Sequence, residues 1–90
     1  MRIKWTKRAA NNLETILASI AHERPMAAQR FLADTLQQLE QLTEFPLLGR
    51  AGVVPLTREL VLHENYTAFY RVRGDVVEIL RVLHSRRKYP

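Results

Sequence analysis

The sequence predicts an α+β fold in the order β-α-α-β-β-β, with an antiparallel helix hairpin packed on one face of a small, mainly antiparallel sheet. Two changes of pattern predict it. Apolar residues recur at helical spacing through the first half of the chain, and the spacing drops to two after a loop at residues 46–55. The length limits the number of domains, because 90 residues allow one compact core. We therefore expect residues 1–90 to form a single domain.

The first strand and the first helix are predicted from residues 1–20. Ile3 and Trp5 alternate with Arg2 and Lys4, as in a short half-buried strand. Thr6 follows as a suitable N-cap for a helix. The apolar stripe of this helix consists of Leu13, Ile16, Leu17 and Ile20.

A second helix is predicted to begin at Pro25 and to end before Pro46. Proline suits the first turn of a helix, where its missing N–H has no partner to lose. The apolar stripe of this helix consists of Ala28, Phe31, Leu32, Leu36, Leu39 and Leu42. The short joint at residues 22–25 predicts that the two helices form an antiparallel hairpin.

Three strands are predicted at residues 58–63, 65–72 and 76–83, each rich in Val, Leu, Ile, Tyr or Phe. If Gly74 and Asp75 form a two-residue hairpin loop, the facing residues are Arg71 with Glu78, Tyr70 with Ile79, and Phe69 with Leu80. One face then carries Tyr66, Ala68, Tyr70, Ile79 and Arg81. The other face carries Thr67, Phe69, Arg71, Glu78 and Leu80. We expect this second face to be partly apolar at its middle and to receive a partner.

Composition excludes several kinds of chemistry. The chain has no cysteine, which excludes disulfides and thiolate sites and favours a reducing compartment, so we expect the cytoplasm. The first residues resemble neither a signal peptide nor a membrane span, and we expect no membrane partner. The net charge of +5 is concentrated in residues 46–90, which hold eight lysines and arginines against four acidic residues. Such a field attracts anionic partners.

Metal and cofactor sites are not expected. His22, His63 and His84 lie too far apart in the sequence to show paired ligand spacing, and the three glycines form no phosphate-binding pattern. One metal-free reaction is not excluded, the cleavage of RNA. It needs a general base, a cation to stabilise the phosphorane and a general acid. His63 or His84, Arg86 or Arg58, and Tyr89 are the candidates for those roles.

Two segments carry a family resemblance, PLLGRAGVVPLTREL at residues 46–60 and NYTAFYRVRGDVVEILRVLHSRRKYP at residues 65–90. Their specific elements are Gly49-Arg50 after a proline, the run Thr57-Arg58-Glu59-Leu60, Tyr70-Arg71-Val72, and the ending ILRVLH followed by Arg87. Together they resemble the RelE/ParE superfamily of bacterial type II toxins over the whole chain. The resemblance implies a toxin held inactive by a cognate, ParD-like or similar antitoxin, in a higher-order toxin–antitoxin assembly.

Members of this superfamily have one of two activities. RelE-like members cut messenger RNA on the ribosome, whereas ParE-like members poison DNA gyrase without chemistry of their own. RelE-like toxins carry lysines at alternate positions of the second strand and an arginine after the tyrosine that opens the third. The matching positions here are Arg58 and Leu60, and Thr67 after Tyr66. Losing these cations would weaken stabilisation of a phosphorane.

The sequence ends on the pattern His84-x-x-Arg87-x-x-Pro90, which resembles the ParE-like, plasmid-stabilisation branch. We therefore predict a gyrase inhibitor. The ribosome-dependent endonuclease, with His63, His84, Arg86 and Tyr89 as its catalytic residues, is the alternative, and an inactive toxin fold is a third possibility. The residues predicted to bind the target are Arg50, Arg58, His84, Arg86, Arg87, Lys88 and Tyr89.

Overall fold

The computed structural model describes residues 1–63 and 65–86. Its elements are β1 (Arg2–Trp5), α1 (Lys7–Glu23), α2 (Pro25–Glu40), a 3₁₀ turn (Gln41–Thr43), β2 (Arg50–Ala51), β3 (Arg58–His63), β4 (Tyr66–Arg73) and β5 (Val76–His84). The predicted order is confirmed, with one addition. The two-residue strand β2 lies inside the segment that we assigned to a loop, because a strand of that length is too short to show a period of two.

The strands form one five-stranded sheet in the order β1-β5-β4-β3-β2. β1 runs parallel to β5, and the other neighbours are antiparallel. The two helices contact each other, and α1 packs against β5 while α2 packs against β3. One sheet face is therefore covered by helices. No helix in residues 1–63 and 65–86 combines the length and apolar character needed to cross a membrane.

The predicted start of each helix is confirmed. The Thr6 hydroxyl accepts a hydrogen bond from the Ala9 N–H at 3.1 Å and donates to the Ile79 carbonyl at 2.8 Å. This cap satisfies a free N–H of the first turn and also ties α1 to β5. Pro25 lies in the first turn of α2, and Arg24 alone separates the two helices.

The core lies between the helices and the sheet, and it corrects one residue of the predicted second stripe. Leu39 and Leu42 are fully buried, as expected, but Leu36 is 46% exposed, and Thr35 is buried in its place. Adjacent residues of a helix point about 100° apart, so the buried line that passes through Thr35 leaves Leu36 at the edge.

A β-bulge changes the predicted register of β4 and β5. Tyr70 faces Ile79 and Arg71 faces Glu78, as predicted, but Phe69 faces Arg81 rather than Leu80. The extra residue in β5 shifts the alternation, so the next core residue along this strand is Val82, which is 1% exposed.

An asparagine of α1 holds this bulge. The Asn12 Oδ1 atom accepts a hydrogen bond from the Val82 N–H at 3.1 Å and another from Arg81 Nε at 3.0 Å. The bulge thus depends on a helix residue that no local pattern connects to the hairpin.

Candidate target-binding surface

The loop between α2 and β3 is fastened to the sheet by a buried tyrosine. Tyr70 is fully buried in β4, and its hydroxyl donates to the Pro46 carbonyl at 2.8 Å and accepts from the Gly49 N–H at 2.9 Å. Burial raises the pKa of the Tyr70 phenol above its ordinary value, against the opposing effects of the Gly49 hydrogen bond and the Arg58 charge. Tyr70 is therefore neutral at physiological pH and acts as both donor and acceptor.

Gly49 and Arg58 complete this attachment. A Cβ atom at Gly49 would lie 2.6 Å from the Glu59 carbonyl oxygen and 2.8 Å from the Tyr70 ring, so only glycine fits. Arg58 Nη1 donates to the Gly49 carbonyl at 2.9 Å and to the Leu47 carbonyl at 3.4 Å. Arg58, which we predicted as a target contact, thus directs its guanidinium at carbonyls of its own chain.

The fastened loop and the turn after it expose large apolar side chains. Five of them are between 50% and 91% exposed. They are Phe45, Leu47, Leu48, Val53 and Leu56. We refer to these five residues as the apolar loop patch. The largest apolar patch of a soluble monomer typically covers about 300–600 Å² and often has a function, so this loop is a candidate binding surface.

The sheet face away from the helices carries apolar residues at its middle, as we expected, and charged residues toward the β4–β5 turn. Phe69 is only 5% exposed. Beside it, the Glu78 carboxylate accepts from Arg71 Nε at 2.8 Å and lies 3.8 Å from Arg73 Nη1. The hydrogen bond from Arg71, with the charges of Arg71, Arg73 and Lys4, lowers the pKa of Glu78, while desolvation opposes the shift. One carboxylate thus stands among three cations, and this face is basic.

Arg50, which we predicted as a target contact, remains accessible at the surface. It lies on β2 and faces Glu59 on β3, with 3.0 Å between its Nη2 atom and the Glu59 carboxylate. Its side chain is nevertheless 72% exposed. Because the Arg50 guanidinium is largely exposed, it can also contact a carboxylate or phosphate of a partner.

The two histidines of the nuclease alternative lie on either side of one tyrosine. Tyr66 of β4 pairs with His63 on one side and with His84 on the other. The His84 ring packs edge-on against Tyr66 at 5.4 Å, and its Nδ1 atom accepts from the Arg86 N–H at 3.2 Å. Arg86 is exposed. The His63 side chain and the predicted contacts Arg87, Lys88 and Tyr89 lie outside the described part of the structure.

Two positions at which the resemblance implies cations in RNA-cleaving toxins hold uncharged residues that are partly or fully buried in this chain. Leu60 is partly buried and packs against the core. Thr67 is 4% exposed, and its hydroxyl lies 3.0 Å from the Ser85 hydroxyl. Neither side chain can supply positive charge to a phosphate, which agrees with the departure noted in the sequence.

Sequence reasoning missed the apolar loop patch and the role of Tyr70. Residues 51–57 do carry a signal, because they contain four large apolar or proline residues and no charge. Without a period of two or 3.6, however, such a segment indicates neither a buried nor an exposed face. The Tyr70 contact spans 21 residues of sequence and has no local signal.

A helix hairpin on a five-stranded, mainly antiparallel sheet, with a basic face and an exposed apolar loop, places the chain in the class of small α+β proteins. Comparison with known families makes this specific. The family model described as "ParE toxin of type II toxin-antitoxin system, parDE" matches residues 3–89. The chain belongs to this family of toxins, as its resemblance to the RelE/ParE superfamily predicted.

Individual relatives agree with this assignment. The Sinorhizobium fredii (strain NGR234) protein named "Putative toxin Y4kP" is 42% identical over 90 residues, covering 99% of this chain and 93% of that protein. A solved structure of the chromosomal ParDE system from P. aeruginosa matches with 31% identity and a TM-score of 0.83, over 93% of this chain and 95% of that one. The solution structure of the Helicobacter pylori protein HP0894 shares the fold alone, with 18% identity, a TM-score of 0.61 and 97% coverage of both chains.

Proposed function

We propose that this toxin inhibits DNA gyrase in the cytoplasm, holds the enzyme on cleaved DNA and thereby blocks replication. The observation that carries the proposal is the identity of residues 60 and 67. Where the resemblance implies cations in RNA-cleaving toxins, this chain has a core-packed leucine and a buried threonine. A toxin without those charges lacks much of the stabilisation that RNA cleavage requires, and binding is the activity that remains.

The exposed cations support a binding mechanism. Arg50 on β2 and Arg86 after β5 are both exposed, and Arg2 and Lys4 add charge along the open edge of the sheet. A protein of net charge +5 is drawn toward DNA and toward acidic protein surfaces before specific contacts form. Under this proposal, the basic surface contacts gyrase or the DNA that gyrase holds.

A cognate antitoxin is proposed as the partner that neutralises the toxin. The P. aeruginosa relative comes from a ParDE toxin–antitoxin system, which supports a ParD-like partner for this chain. A segment of such an antitoxin that is acidic and amphipathic would complement a surface that is both basic and partly apolar, and would become ordered on binding. We propose that several copies of each protein then form a larger assembly.

Gyrase inhibition is tested directly with purified enzyme. Gyrase should lose supercoiling activity in the presence of the free toxin and regain it when the antitoxin is added. Primer extension on translated messages after toxin induction tests the nuclease alternative. Intact supercoiling together with codon-linked cuts in messages would overturn the proposal and favour His63, His84, Arg86 and Tyr89 as a catalytic set.

A matched pair of charge variants tests the basic end of the chain. Replacing Arg86, Arg87 and Lys88 with glutamine should abolish inhibition and leave the Tm nearly unchanged, because Arg86 is exposed and an exposed charge contributes little to stability. Replacing Lys7, Arg8 and Arg30, which are exposed on the helices, lowers the net charge by the same amount. This control should still inhibit gyrase. If both variants lose inhibition equally, inhibition depends on net charge alone and not on the basic end of the chain. Antitoxin binding should be measured separately for each variant.

A further inference from the structure

The turn between β2 and β3 holds a leucine in an unfavourable backbone conformation. The Thr57 N–H donates to the Val54 carbonyl at 3.1 Å, with Pro55 and Leu56 as the central residues. Leu56 has a φ of 68°, the only positive φ of a residue other than glycine in the described segments. This is the arrangement of a type II turn, whose third position normally takes glycine or asparagine.

The Leu56 side chain gains no packing in return for this strain. Leu56 is 91% exposed, and Val53, just before this turn, is 83% exposed. Glycine would relieve the strain, and asparagine would tolerate it while adding polarity at the surface. A strained residue that contributes nothing to the fold indicates a role outside the folded monomer.

Hydrogen bonds fix the backbone that carries these two side chains. The Thr57 hydroxyl donates to the Val54 carbonyl at 2.6 Å, and the Gly52 N–H donates to the Thr57 carbonyl at 2.8 Å. A Cβ atom at Gly52 would collide with the Thr57 hydroxyl, so the two sides of the turn are in close contact. Because the backbone of this turn is already ordered, binding through it costs less backbone entropy, which favours affinity.

We propose that Val53 and Leu56 insert into an apolar pocket on the target protein, with a carboxylate at the pocket rim paired to Arg50. This inference rests on the proposed function and adds the surface through which the target is held. Arg50 lies on β2, just before the turn, and its side chain is 72% exposed. An apolar anchor beside an exposed arginine is a typical composition for the centre and rim of a protein interface.

The chemistry of the turn disfavours nucleic acid, a lipid surface and a second copy of this chain as occupants. Residues 51–56 contain no side-chain donor for a phosphate, which argues against nucleic acid. A lipid surface needs several cations beside the apolar anchor, whereas residues 45–57 contain one cation, Arg50. A second copy facing through this turn would bring two chains of net charge +5 together. A protein pocket with a carboxylate at its rim needs only one cation, needs no phosphate donor and brings no second chain of net charge +5.

The test compares Leu56→Gly, Leu56→Asn and Val53→Thr with the wild type in the gyrase supercoiling assay. Met26→Gln is the control, because Met26 is 71% exposed on α2 and lies outside the turn. We expect Leu56→Gly to keep or raise the Tm and yet to require at least about tenfold more protein for half-maximal inhibition. The Leu56→Asn and Val53→Thr variants should lose inhibition in the same direction, and Met26→Gln should stay within about twofold of the wild type.

The outcomes separate this inference from the proposed function. If the wild type inhibits gyrase and both Leu56 variants inhibit it equally well, the docking role is wrong and the proposed function stands. If the wild type itself leaves supercoiling intact, both the docking role and the proposed function are wrong.

Two further measurements test the other occupants: sedimentation velocity of the free protein, and flotation with vesicles of equal parts phosphatidylglycerol and phosphatidylcholine. Self-association or vesicle binding that Leu56→Gly abolishes would identify a different occupant and overturn the proposal.

Discussion

The hydroxyl of Tyr70 accepts a hydrogen bond from the Gly49 N–H at 2.9 Å, and this contact joins the sheet core to the loop that carries the apolar loop patch. The same oxygen donates to the Pro46 carbonyl at 2.8 Å. A single buried side chain therefore satisfies two backbone groups on a segment without regular structure. The position of the loop surface depends on the core of the sheet.

Replacing Tyr70 with phenylalanine should destabilise the protein while preserving the volume of the core. The change leaves the Gly49 N–H and the Pro46 carbonyl without this partner inside the fold. We expect the free energy of unfolding to fall by about 1–3 kcal/mol. For a domain of this size, each kcal/mol corresponds to a Tm lowered by roughly 4–8 °C. Urea unfolding of both proteins measures the difference, and unchanged stability would show that water replaces the hydroxyl.

The same residue predicts a loss of stability at alkaline pH. The pKa of Tyr70 is raised by burial, so the folded state binds the phenolic proton more tightly than the unfolded chain does. The contribution is complete below the ordinary value of about 10 and is lost as the pH rises from there through the raised pKa. Unfolding free energies measured between about pH 8 and pH 11.5 should fall more steeply for the wild type than for Tyr70→Phe. Parallel curves would contradict the prediction.

For Glu78 we predict a loss of stability at acidic pH. Its pKa is lowered from about 4.5, chiefly by the hydrogen bond from Arg71. Stability from this carboxylate is present above its ordinary pKa and is lost as the pH falls through the lowered value. Urea unfolding between about pH 2.5 and pH 6 should show a shallower acid decline for Glu78→Gln than for the wild type. Glu14, exposed on α1, gives a control in Glu14→Gln, which should decline as the wild type does.

Replacing Asn12 with alanine should weaken the β-bulge in β5. The variant removes the acceptor for the Val82 N–H and for Arg81 Nε. We expect the free energy of unfolding to fall by about 1–3 kcal/mol, because a backbone N–H beside the core loses its partner. Asn12→Asp keeps an oxygen at the same place and should recover most of this loss. If both variants are equally destabilised, the side-chain amide matters for a reason other than accepting these two bonds.

The surface that we propose to bind the target was only partly predictable. Arg50 and Arg86 could be proposed from charge alone, and both are exposed in the structure. Arg58 has the same chemistry in sequence, but its guanidinium contacts the Gly49 and Leu47 carbonyls. Charge in a sequence does not distinguish a cation that faces solvent from one that binds its own backbone. Exposed apolar residues are harder to predict from a sequence, because apolar character by itself predicts burial.

The sequence by itself determined the order of the elements, the Thr6 cap, the start of α2 at Pro25 and the turn that pairs Arg71 with Glu78. These features follow from interactions between residues a few positions apart, which leave a periodic or positional signal. Only the tertiary structure decided that Val82 enters the core and that the loop after α2 is held by a buried phenol. The Asn12 contact with Val82 spans 70 residues, and the Gly49 contact with Tyr70 spans 21. Contacts of that range depend on how packed elements meet, which no local pattern records.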